Sequence, residues 1–144
     1  GKSVAIPSYN SCGGSIIPPV DAAKEARELV AEHGGFNHVK VRLGRASLAE
    51  DIAALKAIRD AVGPAVLLST DFNQALPSSS AYEACHAVDD LGLTWIEEPV
   101  VFDDYETQAR LTAKLRTPIQ IGETWWHWRT GATPSISFNG CHPA

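Results

Sequence analysis

The chain has 144 residues, 44% of them hydrophobic and 20% charged, with a net charge of −5. That balance permits a buried core, provides no basic stripe for nucleic acid, and contains no apolar run near the roughly 20 residues of a membrane span. Cys12, Cys85 and Cys141 lack any CxxC spacing and indicate neither a disulfide framework nor a zinc cluster, and no charged region followed by an apolar run opens the chain, so the cytoplasm is the expected location.

In chain order, Val4 to Tyr9 reads as a first strand weakened by Pro7, and Asn10 to Gly14 as a turn-rich loop. A helix is predicted from Pro19 or Asp21 to His33, since proline is tolerated in a first turn and Gly34-Gly35 stops the run. Strand two follows as Phe36 to Leu43. The next helix has the clearest signals: Ser47 and Glu50 form a capping box, and Leu48, Ile52, Leu55 and Val62 recur on one face before Gly63-Pro64. The plan repeats with a strand from Ala65 to Thr70, a helix opened by Ser80 and Glu83 and closed by Gly92, and a strand from Leu93 to Glu97. A fourth helix begins near Asp103 and Glu106, and Thr117-Pro118 precedes a fifth strand ending at Ile121. Such alternation predicts a parallel α/β sheet whose strand C-termini share one rim. Periodicity does not separate a barrel from an open sheet. After Glu123 the pattern stops, and His127 among Trp125, Trp126 and Trp128 reads as a packing or surface residue in an irregular tail.

Three acids stand at equivalent strand ends. Asp71, Glu97 and Glu123 follow apolar runs at intervals of 26 residues, the length of one strand-helix unit. Alternation lets only one of Glu97 and Glu98 share the orientation of Trp95. Converging carboxylates without Cys or His suit a hard divalent cation such as Mg²⁺. On strand two, Lys40 and Arg42 share a face, opposite Val39, Val41 and Leu43. A solvated edge strand is the simpler reading of that pair alone; acids opposite would give it a chemical one. Lys40 could then serve as a base, whereas Arg42, always protonated, would clamp a carboxylate.

Lys40-Val41-Arg42, Asp71-Phe72-Asn73-Gln74, Trp95-Ile96-Glu97-Glu98-Pro99 and Gly122-Glu123-Thr124-Trp125-Trp126 together resemble successive motifs of the mandelate racemase branch of the enolase superfamily, from about Val4 to Trp126. The resemblance implies an incomplete (β/α)₈ barrel over residues 1–123, with the capping domain and later strands absent and residues 124–144 a truncated or frame-altered tail. It implies Mg²⁺ bound by Asp71, Glu97 and Glu123, with Glu98 not a ligand. The branch has Lys-x-Lys on strand two; Lys40 matches the first, supporting lysine, and Arg42 replaces the second, a catalytic base. Lys40 and Arg42 are the catalytic residues the match implies. The known chemistry of the superfamily is proton abstraction next to a carboxylate, giving racemisation, epimerisation or dehydration of a hydroxy or sugar acid. Relatives of full length are expected to be homo-oligomers. A closed barrel needs about 250 residues, so this chain alone is expected to be an inactive fragment. A non-catalytic relic and an unrelated barrel lyase, such as a Schiff-base aldolase using Lys40, are the alternatives.

Overall fold

The computed structural model describes residues 8–11, 16–32 and 35–123. Strands and helices alternate: β1 (Asn10–Ser11), α1 (Pro19–Ala31), β2 (His38–Arg42), α2 (Leu48–Val62), β3 (Leu67–Asp71), α3 (Ala81–Val88), β4 (Ile96–Glu97), α4 (Tyr105–Lys114) and β5 (Ile119–Gln120). The strands form one sheet in sequential order, and the pairs β1–β2, β3–β4 and β4–β5 are parallel. This is the expected α/β architecture. Contacts divide the chain into two compact units, Gly1–Ser69 and Thr70–Ala144.

In the first unit, α1 enters through Pro19 with no side-chain cap and packs on α2. Its buried positions, Ala22, Ala23 and Ala26, are all small, which lets the two helices approach closely. The Ser47 hydroxyl accepts the Glu50 N–H at 3.3 Å, as the capping box predicts. Gly63 ends the helix at φ 80°, a left-handed conformation that favours glycine. Strand β2 is buried on both faces, with Val39, Val41 and Leu43 in the core and Lys40 only 7% exposed. A solvated edge strand is therefore excluded.

Asp51, in the first turn of α2, is 3% exposed. It accepts hydrogen bonds from the Gly44 and Arg45 amides and, at 3.1 Å, from the Arg45 guanidinium. Arg45 also donates to the carbonyls of Ile17 and Arg42. One ion pair thus ties the chain after β2 to both the approach to α1 and the start of α2.

In the second unit, Phe72, Ile96, Val100 and Leu111 are each at most 1% exposed and form the core with Ala81, Cys85 and Val88. Helix α3 starts after Ser80 as expected but without the cap bond, and α4 starts one residue later than expected. Ser80 has helical dihedrals and no side-chain cap; its hydroxyl donates to the Pro77 carbonyl, because the turn begins at Pro77 and Ser80 is already inside it. Asp104, rather than Asp103, caps α4 by accepting the Thr107 N–H at 3.0 Å. The first strand also differs: β1 is Asn10–Ser11, within the expected loop, while Val4 to Pro7 lie outside the described residues.

Asp89 closes α3, and its carboxylate accepts the backbone N–H groups of Thr117 and Arg116 just before β5. Burial alone would raise its pKa, but those amide donors, chiefly Thr117, outweigh it and hold the carboxyl below its ordinary value of 3.8. A depressed folded-state pKa contributes stability that is complete above the unfolded value and lost as pH falls through the folded one. Thermal melts are therefore expected to show a loss of stability below about pH 4 that is shallower in Asp89→Asn. An unchanged acid profile in that variant would contradict the assignment.

Candidate metal centre

The register of the sheet builds the site. Asp71 pairs with Glu97 across β3–β4, so the two acids stand level on adjacent parallel strands and leave the sheet on the same face. Neighbouring strands run about 4.8 Å apart, which sets the scale of their separation. Glu97 pairs in turn with Gln120. Beyond Gln120 the chain turns through Gly122 at φ 118°, which delivers Glu123 from the third strand end.

The outcome is convergence. One carboxylate oxygen from each of Asp71, Glu97 and Glu123 lies within 4.8 Å of the others, with Asp71 and Glu97 buried and Glu123 exposed. Each buried acid is oriented by a neighbour. Asp71 accepts the Asn73 N–H at 2.8 Å, and Glu97 accepts the Trp95 indole N–H at 3.0 Å. Glu97 is thus the acid that shares the face of Trp95. Glu98 is also buried, at 4% exposure, but its carboxylate accepts from the Gln74 side-chain amide.

Three carboxylates this close repel one another, and a cation between them relieves that cost. The donor set fits a hard one: all oxygen, with no thiol or imidazole in the cluster. Cys85 is fully buried, and burial, then the Asp89 charge, pushes its thiol up to about 12. It is inert packing. Cys12, Cys141, His142, His127 and the tryptophans around it lie outside the described residues.

The other predicted pair belongs to the first unit. Lys40 places its ammonium 5.8 Å from the centre of the Tyr9 ring. Tyr9 also meets the His38 ring, and His38 Nε2 lies 2.8 Å from Ser69 Oγ. Burial lowers the His38 pKa, which favours the neutral imidazole. His38, Lys40 and Arg42 share a face of β2 by alternation, as Ser69 and Asp71 share one of β3. The orienting roles of Trp95 and Asn73 were not anticipated, although the i,i+2 spacing of Trp95 and Glu97 carries the signal for the first.

A parallel α/β sheet with three carboxylates converging at successive strand ends is the arrangement of a (β/α) barrel rim, and its all-oxygen donor set could hold a divalent cation. Residues 21–141 match the family model for enolase C-terminal domain-like proteins. The chain belongs to that family, and within the enolase superfamily its relatives are of the mandelate racemase branch. It is 34% identical over 119 residues to L-talarate/galactarate dehydratase of Salmonella typhimurium, covering 83% of this chain and 30% of that one. With N-succinyl-L-Arg/Lys racemase of Bacillus cereus it shares 29% identity over 85% of this chain and 36% of the other. Among solved structures, an enolase from alpha proteobacterium bal199 with bound Mg has a TM-score of 0.80 at 43% identity, covering 84% of this chain and 34% of that one. L-talarate dehydratase from a Polaromonas species, complexed with Mg and L-glucarate, has a TM-score of 0.73 at 34% identity, covering 80% of this chain and 32% of that one. The chain spans about a third of the length of these relatives. Among the described residues no helix is long and apolar enough to cross a membrane.

Proposed function

We propose that the protein in which this chain forms part of a complete barrel removes a proton next to the carboxylate of a hydroxy or sugar acid, with Mg²⁺ held by Asp71, Glu97 and Glu123. The observation that carries this reading is the convergence of those three carboxylates. Relatives named as a racemase, an epimerase and an acid-sugar dehydratase support it, since each of those outcomes can follow from removal of a proton next to a carboxylate. When bound, the ion supplies positive charge opposite the substrate oxygens on which negative charge develops.

The remaining work falls to the side chains. Arg42 keeps its proton at any ordinary pH, so its role is to hold the substrate carboxylate through paired N–H donors. Lys40 is the titratable member of the pair and the one able to exchange a proton with the substrate carbon. Its buried setting against Tyr9 restricts where the ammonium can point. After abstraction, return of the proton gives a racemase or epimerase outcome, and loss of a β-hydroxyl as water gives dehydration.

Exchange of the substrate α-proton with deuterium, followed by NMR on a panel of hydroxy and sugar acids, tests the assignment. In a protein with this segment in a complete barrel, Lys40→Met is expected to slow exchange by about 10²–10⁴-fold. Arg42→Lys is expected to weaken substrate binding without accelerating exchange. Faster exchange in Arg42→Lys would instead make position 42 the site of a lost base. The 144-residue chain by itself is expected to give no turnover, and turnover by the purified monomer would refute that part of the reading.

A further inference from the structure

The chain departs from regular pairing directly after the two buried acids. Thr70 N–H bonds to the Trp95 carbonyl and Phe72 N–H to that of Glu97, two residues on along each strand. Regular continuation would send Gln74 N–H to Pro99. It goes to Glu98 instead, at 2.7 Å, and Leu76 N–H takes the Pro99 carbonyl. At this slip lie Asn73 at φ 45°, Gln74 at φ 63° and Glu98 at φ 38°, the non-glycine residues of positive φ among those described. Such conformations cost of order 1–3 kcal/mol each and persist only where their surroundings impose them.

The Gln74 side chain spans this slip. Its amide donates to Glu98 Oε2 at 3.1 Å, and its carbonyl accepts the Phe102 N–H at 2.9 Å. Glu98 is buried and followed by Pro99, which is fully buried too. The loops leaving β3 and β4 are therefore fastened together at the backbone and again through side chains, immediately beyond Asp71 and Glu97.

We propose that Gln74 and Glu98 are a positioning pair that fixes the spacing of Asp71 and Glu97, and so makes the site selective for a small octahedral cation over a larger one; this rests on the metal reading above. Mg²⁺ demands ligands at about 2.0–2.1 Å in near-ideal geometry, whereas Ca²⁺ accepts about 2.3–2.6 Å and looser arrangements. A site whose two buried ligands are free to separate loses Mg²⁺ affinity first. Partners that orient metal ligands typically change affinity by about 10–100-fold when removed.

The test is binding of Mg²⁺, Ca²⁺ and Mn²⁺ by calorimetry on the full chain, with folding checked by circular dichroism. Gln74→Glu sets two carboxylates against each other and is expected to weaken Mg²⁺ by about 10-fold or more while changing Ca²⁺ by less than about 3-fold. Combining Gln74→Glu with Glu98→Gln restores both hydrogen bonds, because the carboxylate introduced at position 74 accepts from Phe102 N–H and from the new amide at 98. That double variant is expected to regain wild-type affinity and selectivity, including where Gln74→Glu alone fails to fold. Unchanged Mg²⁺ affinity in a folded Gln74→Glu, equal losses for Mg²⁺ and Ca²⁺, or a double variant that stays impaired would each overturn the pairing. A wild-type chain that binds none of the three ions would overturn the metal reading itself.

Discussion

Replacing Asp51 with Ala is expected to lower stability by about 3–5 kcal/mol, a larger effect than any surface substitution in this chain. The Asp51 and Arg45 side chains are 5% and 6% exposed. Removing the acid strands a guanidinium away from water and leaves the Gly44 and Arg45 amides without their acceptor. The cost is that of an uncompensated buried charge rather than of one contact. Replacing both partners together with apolar residues, Asp51→Leu with Arg45→Met, is expected to recover part of the Arg45 penalty but not the two amide bonds. Urea unfolding followed by circular dichroism measures both. A shift below about 1 kcal/mol for Asp51→Ala would show that the pair is worth no more than an exposed salt bridge.

That ion pair illustrates what the sequence leaves silent. Asp51 sits where any helix start tolerates an acid, and nothing in its spacing names Arg45 or the Gly44 amide as partners. Asp89 is quieter still, since the backbone N–H groups that donate to its carboxylate, at Arg116 and Thr117, lie 27 and 28 residues away. By contrast, Ser47 with Glu50 and the alternation of β2 depend on neighbours a few positions apart, where local geometry suffices. The convergence of Asp71, Glu97 and Glu123 is legible for a different reason. A parallel sheet puts every strand end on one rim, so a regular interval between acids in the sequence becomes proximity in space. Ser80 does stand directly before α3, but a capping pattern says nothing about its missing cap bond, because Pro77 has already begun the turn. Asp103 and Asp104 differ by one position, within the uncertainty of any helix end judged from pattern alone.

The second large effect concerns Glu97. Glu97→Gln keeps the shape of the side chain and an acceptor for the Trp95 indole, while removing the negative charge. Loss of a direct ligand is expected to weaken divalent-ion binding by about 100-fold or more, at least the upper end of what an orienting partner contributes. The same change relieves repulsion among the three acids, so the metal-free protein is expected to be as stable as wild type or slightly more so. These opposite signs separate ligand loss from general damage. Wild-type protein should melt higher as Mg²⁺ is added, following the linkage of binding to folding, and Glu97→Gln should not.

The most direct measurement is a titration with Mn²⁺, a spectroscopic stand-in for Mg²⁺, with free ion followed by electron paramagnetic resonance. One saturable Mn²⁺ site per chain, displaced by Mg²⁺ and abolished separately by Asp71→Asn, Glu97→Gln and Glu123→Gln, is the predicted result. Absence of a saturable site, or Mn²⁺ binding that survives all three substitutions, would contradict a metal centre at these strand ends.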